Sequence, residues 1–300
     1  MSHSGKTWTA LVTVYVIWGS TYLGIAIAGE TIPPLFAAST RFITAGALMA
    51  GVVRARGGSL RVERRALASC LVVGCLLPGA NAVLFFAERR VATGLASLII
   101  ASVPLWVVLF RLAARERLPW QALLGVGIGF AGVAVLAHPS GGAHLSGIAL
   151  CLVSAVMWST GSVVSARAAM PDDPFAATAY EMLAGGLVML VPSLFTLHHF
   201  SPSAGSIGGW LYLVSFGSVI GYTAYVWLLA NAPLGLVSTY AYVNPVVAIA
   251  LGVLFRGEHL TWRLLTGAVV IVAAVALVVQ REPAAAPPPD EGVRARNSRP

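Results

Sequence analysis

The chain has 300 residues, 58% of them hydrophobic and only 10% charged, with a mean hydropathy of +0.83 and a formal net charge of +8. Soluble domains carry about 25% charged residues, so this composition excludes a soluble globular protein whose short loops would have to supply the whole polar shell. The basic residues are spread through connecting loops rather than gathered in one patch, which argues for membrane topology and against a nucleic-acid partner.

Ten apolar spans, each of about 20 residues, follow in chain order. The first, 8–29, comes after a single Lys6 and has no small-residue cleavage site, so it is expected to be a retained helix behind a cytoplasmic N-terminus at 1–7. The next four are 34–53, 67–87, 92–112 and 119–138; the last five are 145–166, 175–196, 207–229, 234–255 and 262–280. Beyond them EPAAAPPPDEGVRARNSRP, rich in Pro and Ala, is expected to be a disordered cytoplasmic tail within 281–300. Cys70, Cys75 and Cys151 lie inside apolar spans and read as small core-filling residues. The histidines sit at span ends, in loops or at the N-terminus without ligand spacing, so neither metal, cofactor nor catalytic centre is expected.

With the N-terminus inside, the loops at 54–66, 111–118 and 167–174 face the cytoplasm. They carry Arg54, Arg56, Arg61, Arg64, Arg65, Arg111, Arg115, Arg117 and Arg167, joined by Lys6 and Arg281 near the termini. Only Arg89, Arg90, Arg256 and Arg263 fall outside, eleven basic residues against four. This positive-inside bias places both termini in the cytoplasm.

Two stretches 140 residues apart are degenerate copies: WGSTYLGIAIAGETIPPLFAASTRFITAGALM from Trp18, and WSTGSVVSARAAMPDDPFAATAYEMLAGGLVM from Trp158. After a one-residue shift GLASLIIASVP aligns with GLVSTYAYVNP, pairing Gly94, Ser97 and Pro104 with Gly235, Ser238 and Pro245. A further residue brings ERLPWQALLG onto EHLTWRLLTG, pairing Glu116 with Glu258. The repeats are therefore 8–138 and 145–280. Five spans per repeat is an odd number, so the second unit enters the membrane inverted. The arginine-rich loop after span two accordingly has a partner after span seven holding only His198 and His199. The expected fold is an all-α membrane protein of ten transmembrane helices in two inverted five-helix repeats, an arrangement that places solute sites at the repeat interface near the midplane.

The segment GLVSTYAYVNPVVAIALGVLFRGEHLTWRLLTGAVVIVAAVAL, its first-half copy GLASLIIASVPLWVVLFRLAARERLPWQALLGVGIGFAGVAVLA, and the opening WGSTYLGIAIA and ASTRFITAGAL together resemble the EamA module of the drug/metabolite transporter superfamily, particularly bacterial exporters near the YedA branch. The resemblance covers residues 8 to 280. It implies export of small metabolites or amino acids across the bacterial inner membrane, without specifying the solute.

Charge inside a bilayer is costly, about 2.5 kcal/mol or more, so Arg41 and Glu181 each need a reason. They occupy equivalent repeat positions, Arg41 about 10 Å below the outer surface and Glu181 about 9 Å above the inner one. Arg41 is expected to reach toward Glu88, and Glu181 toward Arg167; gating, a polar pathway wall and simple packing are all compatible with both. Glu116 and Glu258 read as first-turn acids of spans five and ten. Pro104 and Pro245, at matched positions, are expected to break spans four and nine around a cavity. Trp18, Tyr22 and Trp158 on equivalent first helices, with Asn81, Tyr222, Tyr225, Tyr240, Tyr242 and Asn244, complete the candidate pathway. Asn81 and Asn244 stand out because a buried amide needs partners. Trp8, Trp120, Trp210 and Trp262 fit an interfacial belt, and Gly125, Gly129, Gly217 and Gly221 fit close helix contacts.

No Walker motif or phosphate loop is present to use ATP. The expected function is a secondary carrier working by alternating access, with an intramembrane enzyme or a channel as the alternatives. Expected partners are a small-molecule substrate and membrane lipid. Protons are the candidate coupling ion against plain facilitated diffusion, and the protein is expected to be a monomer or weak homodimer.

Overall fold

The computed structural model describes residues 3–137, 144–197, 200–232, 234–237 and 239–280. His198, His199, Ser238 and the 281–300 tail lie outside the described residues, so nothing structural attaches to them here. Within the described residues the chain is helical without strands: α1 (His3–Ala28), α2 (Pro34–Ala55), α3 (Arg64–Glu88), α4 (Thr93–Ile100), α5 (Val103–Ala113), α6 (Trp120–Ala137), α7 (Leu145–Arg167), α8 (Pro174–Leu194), α9 (Ala204–Tyr212), a π-helical segment (Leu213–Ile220), α10 (Gly221–Asn231), α11 (Leu234–Val237), α12 (Tyr240–Arg256) and α13 (Trp262–Gln280).

Seven helical stretches are long and apolar enough to cross a bilayer, and three shorter apolar helices, Trp120–Leu136, Tyr240–Arg256 and Trp262–Leu277, accompany them. A helix of 17 residues extends about 25 Å against a hydrocarbon core of about 30 Å. α12 starts inside its hydropathy run, whose first residues form α11, whereas α13 fills the expected 262–280 and α6 the described part of 119–138. The outer surface is apolar: Val12, Val16, Leu71, Leu124, Val188, Leu254 and Val269 are all exposed. Such a continuous apolar exterior suits lipid, not water. Trp8, Trp120 and Trp262 are exposed as an interfacial belt requires. Trp210 is not; it is half-buried and donates from Nε1 to Thr40 Oγ1 at 3.1 Å.

Local chemistry fixes several helix ends. Asp173 caps α8 by accepting from Phe175 N at 2.9 Å, with Pro174 following where its missing amide costs nothing. Ser203 caps α9, accepting from Ser206 N at 3.1 Å. Span four is interrupted by Ala101 and Ser102, and Pro104 sits in the first turn of α5 as the matched-proline reading expected. Pro245 departs from that reading, because α12 runs through it unbroken. Its missing N–H would have bonded near the helix start, where one lost hydrogen bond does not end the helix.

Helix packing carries the repeat into three dimensions. α2 crosses α8 at Gly46 and Gly186, repeat equivalents. A Cβ on Gly46 would lie 2.9 Å from Leu183 N and 3.0 Å from Ala179 O; one on Gly186 would lie 2.8 Å from Ile43 N and 3.0 Å from Ser39 O. Since Ile43 matches Leu183 and Ser39 matches Ala179, the contact is reciprocal. The same holds off the axis: Gly161 lies against Leu77, and Gly217 against Thr21. Helices α6 and α13 also pair with each other, α3 pairs with α7 as α1 does with α9–α10, and α1 pairs with α12 as α7 does with α4–α5. Small residues at these crossings let the backbones approach closely, as is usual where lipid removes the hydrophobic drive between helices.

Candidate functional site

The first helices of the two repeats, the interrupted helices and the π-helical segment converge on a cavity of about 120 Å³. α1 contributes Trp18, Thr21, Tyr22 and Ile25; α2 contributes Arg41; α3 contributes Asn81 and Leu84. From α4–α5 come Ser97, Ile100, Ala101, Val103 and Pro104, and from α7 Ser154 and Trp158. Gly217, Tyr222, Tyr240, Ala241, Asn244 and Pro245 close the wall. Four pairs of repeat equivalents therefore face one space: Trp18 with Trp158, Ile100 with Ala241, Val103 with Asn244, and Pro104 with Pro245.

One wall is aromatic. Trp18 packs against Tyr222, Tyr225 and Tyr240 with ring centroids 5.4, 4.9 and 5.1 Å apart. Its Nε1 donates to Gly217 O at 3.3 Å. That carbonyl belongs to the π-helical segment, whose wider turn displaces backbone acceptors from the usual ladder. The hydroxyls on the wall are largely satisfied: Thr21 donates to Trp18 O at 2.6 Å, Ser97 to Gly94 O and Ser154 to Ala80 O, both at 2.8 Å.

Arg41 forms the other wall, only 3% exposed. It donates from Nε to Ser218 Oγ at 3.1 Å and from Nη1 to Asn81 Oδ1 at 3.4 Å. The expected approach to Glu88 does not occur, since Glu88 Oε2 accepts from Thr93 Oγ1 at 3.3 Å. α2 instead turns Arg41 toward the π-helical segment, where Ser218 accepts its Nε proton. Likewise Arg167 pairs with Glu116 rather than with Glu181. Glu181 is half-buried outside the cavity wall. Tyr225 stands behind Trp18, and Tyr242 packs against the main core; neither lines the cavity.

The two repeat-equivalent glutamates also differ from the first-turn expectation. Glu258 reaches across to α4, accepting from Thr93 N at 2.6 Å and Gly94 N at 3.0 Å. Glu116 accepts from Arg111 Nε at 2.7 Å and pairs with Arg167. The hydrogen bond from Arg111, assisted by the charges of Arg111 and Arg167 against desolvation, holds the Glu116 carboxyl below the usual carboxylate range. A depressed folded value means the contact is complete above the ordinary range and is lost only as pH falls through the lower value. Infrared difference spectra between wild type and Glu116→Gln should therefore show no protonated Glu116 band at ordinary carboxylate pKa; a band there would contradict the arrangement.

Thr21, Ile25, Leu84, Ile100, Ala101, Val103, Ser154, Ala241 and the Arg41 acceptor Ser218 went unread in the sequence, and Ser97 and Gly217 were read as a repeat match and a helix contact without a place on the cavity. Ile25 and Leu84 were accessible to helical periodicity, since Trp18, Tyr22 and Ile25 share one stripe, as do Asn81 and Leu84. Ser218 was not, because the π-helical turn that presents it has no sequence signature.

The helices and cavity define a polytopic helical membrane protein with a polar–aromatic site between its helices. The chain belongs to the EamA-like transporter family, whose model matches residues 6–137 and again 145–280. It is 38% identical to the uncharacterized inner membrane transporter YedA of Escherichia coli K12 over 264 residues, 84% of this chain and 83% of that protein. It is 28% identical to a probable amino-acid metabolite efflux pump of Salmonella typhimurium, covering 86% of this chain and 89% of that one. A protein of known crystal structure superposes with a TM-score of 0.65 at 23% identity, covering 91% of this chain and 96% of the other, a likeness of fold alone. The protein is a membrane transporter of the EamA type.

Proposed function

We propose that the protein is a secondary carrier that exports small metabolites, amino acids among them, across the bacterial inner membrane by alternating access. Its unit is two inverted five-span repeats, 8–138 and 145–280, with both termini cytoplasmic. The carrying observation is the cavity bounded by four repeat-equivalent pairs, Trp18/Trp158, Ile100/Ala241, Val103/Asn244 and Pro104/Pro245. Inverted repeats place solute sites at their interface, and rocking one repeat against the other exposes such a site to each side in turn. The reciprocal crossing at Gly46 and Gly186 supports the same reading. The named character of the relatives, inner membrane transporter and efflux pump, supports location and direction.

In this reading Trp18, Tyr22, Trp158, Tyr222 and Tyr240 shape the substrate, Arg41, Asn81 and Asn244 supply polar contacts, and Glu181, Tyr225 and Tyr242 act from outside the wall. The test is solute flux in proteoliposomes of the purified chain, with and without an imposed proton gradient. Solute-specific flux that saturates is expected; gradient dependence separates proton coupling from facilitated diffusion. Non-saturating leakage of every solute would remove the carrier reading. For topology, cysteines replacing Ser59 and Ser201 in a background lacking Cys70, Cys75 and Cys151 should be labelled from opposite faces of intact membranes. Labelling from one face would end the inverted arrangement.

A further inference from the structure

Arginine carries five N–H donors and stays charged at any physiological pH. Arg41 uses two groups on neutral acceptors, Ser218 Oγ and Asn81 Oδ1. Among the described residues no carboxylate lies within ion-pair distance of it. A guanidinium this deeply buried without a counter-ion is unfavourable unless something supplies the anion. A second buried group on the same cavity wall is also incomplete: Asn244 is 8% exposed and its Oδ1 has no hydrogen-bond partner. A cation lacking an anion and an acceptor lacking a donor thus face one space.

Resting on the carrier reading above, we propose that this cavity selects a small organic carboxylate that also bears an N–H or O–H donor. The carboxylate lies against Arg41, where a planar guanidinium suits a two-oxygen anion. The donor, an ammonium or a hydroxyl, is accepted by Asn244 Oδ1, and the short carbon body rests on Trp18 and Trp158. The volume suits a short body: at about 120 Å³ the space is comparable to the cavity of about 150 Å³ that holds benzene. Short-chain amino acids and hydroxy acids fit this chemistry; large drugs and organic cations do not.

The purified full chain is titrated with alanine, lactate, propionate, alaninol and alanine methyl ester, following tryptophan fluorescence and thermal midpoint, and flux is measured in proteoliposomes. Alanine or lactate should bind at least tenfold more tightly than alaninol and the ester, which lack the carboxylate. Propionate, lacking the donor, should bind severalfold more weakly than lactate. The stronger of alanine and lactate identifies the donor as ammonium or hydroxyl. Arg41→Gln should erase the preference for carboxylates while leaving the ester unchanged, and Asn244→Leu should erase the difference between lactate and propionate. The analogue series on wild type decides the matter even where a variant fails to fold. Equal binding of charged and neutral analogues, or no carboxylate binding at all, overturns the proposal. Arg41-dependent carboxylate binding without flux would instead overturn the carrier reading and leave the site standing, whereas saturable flux of other solutes indifferent to Arg41→Gln would do the reverse.

Discussion

Gly185→Val should remove most of the folded protein, because it forces apart two backbones that touch. α3 and α8 cross at Gly74 and Gly185. A Cβ on Gly185 would lie 2.7 Å from Pro78 Cβ and 2.9 Å from the Gly74 carbonyl carbon, besides crowding Gly74 O. None of these atoms sits at the end of a flexible side chain, so the helices themselves must separate. Overpacking of an ordinary core costs about 1–3 kcal/mol; here backbone is the obstacle, and about 3 kcal/mol or more is expected. Separation would also loosen Arg41, since α3 carries Asn81, one of its two hydrogen-bond acceptors. Gly127 is the control: it lies in α6 with nothing within 4 Å of its absent Cβ. Gly127→Ala should leave the midpoint unchanged or raise it slightly, by up to about 1 kcal/mol of helix propensity. The measurement is the thermal midpoint and the monodisperse fraction in detergent. Equal behaviour of the two variants would show that the α3–α8 crossing is not a tight backbone contact.

The residues that the repeat makes visible are those whose role follows from being duplicated. Trp18 and Trp158, and Pro104 and Pro245, recur at matched positions, and all four reach one cavity. Hydropathy located the helices to within a few residues, because burial in lipid requires long apolar runs whatever the tertiary contacts. It could not locate the interruption at Ala101 and Ser102, where no residue of the span turns polar enough to register.

Partners were far less legible than positions. Glu116 and Glu258 are the same residue in equivalent loops, yet one binds two arginines and the other caps a helix of the opposite repeat. The difference comes from Arg111 and Arg167, whose counterparts in the other half are not basic: the uneven spread of arginines between the repeats gives Glu116 partners that Glu258 lacks. Arg41 shows a similar limit. Its place inside an apolar span was readable from hydropathy, but its acceptor Ser218 depends on the π-helical segment, which rotates the helix face by an amount that no propensity records.

Glu258→Ala should free one end of the cavity wall, since this carboxylate joins the two halves of the molecule. The loop is built for the contact. Gly257, at φ 64°, ends α12 in the left-handed conformation and turns the chain back. Glu258 N then bonds to Gly252 O at 3.2 Å. Gly252 leaves room for the side chain, because a Cβ there would lie 2.7 Å from the Glu258 carboxyl carbon. The carboxylate arrives at the first two amides of α4, where unsatisfied N–H groups and the helix dipole favour an anion. Ser97 and Ile100 of that short helix line the cavity. Hydrogen bonds to charged groups contribute about 1.5–3 kcal/mol each, so the loss in Glu258→Ala should be about 3 kcal/mol, with faster hydrogen exchange at Thr93 and Gly94. Glu258→Gln keeps one oxygen acceptor and should fall between. Gly252→Ala should weaken the same contact sterically, yet add little on the Glu258→Ala background, because the two changes act on one interaction. Glu116→Gln, in the equivalent loop, should leave Thr93 and Gly94 protected. An unshifted midpoint in Glu258→Ala, unaltered exchange at those two amides, or full additivity with Gly252→Ala would each show that α4 is held by packing alone.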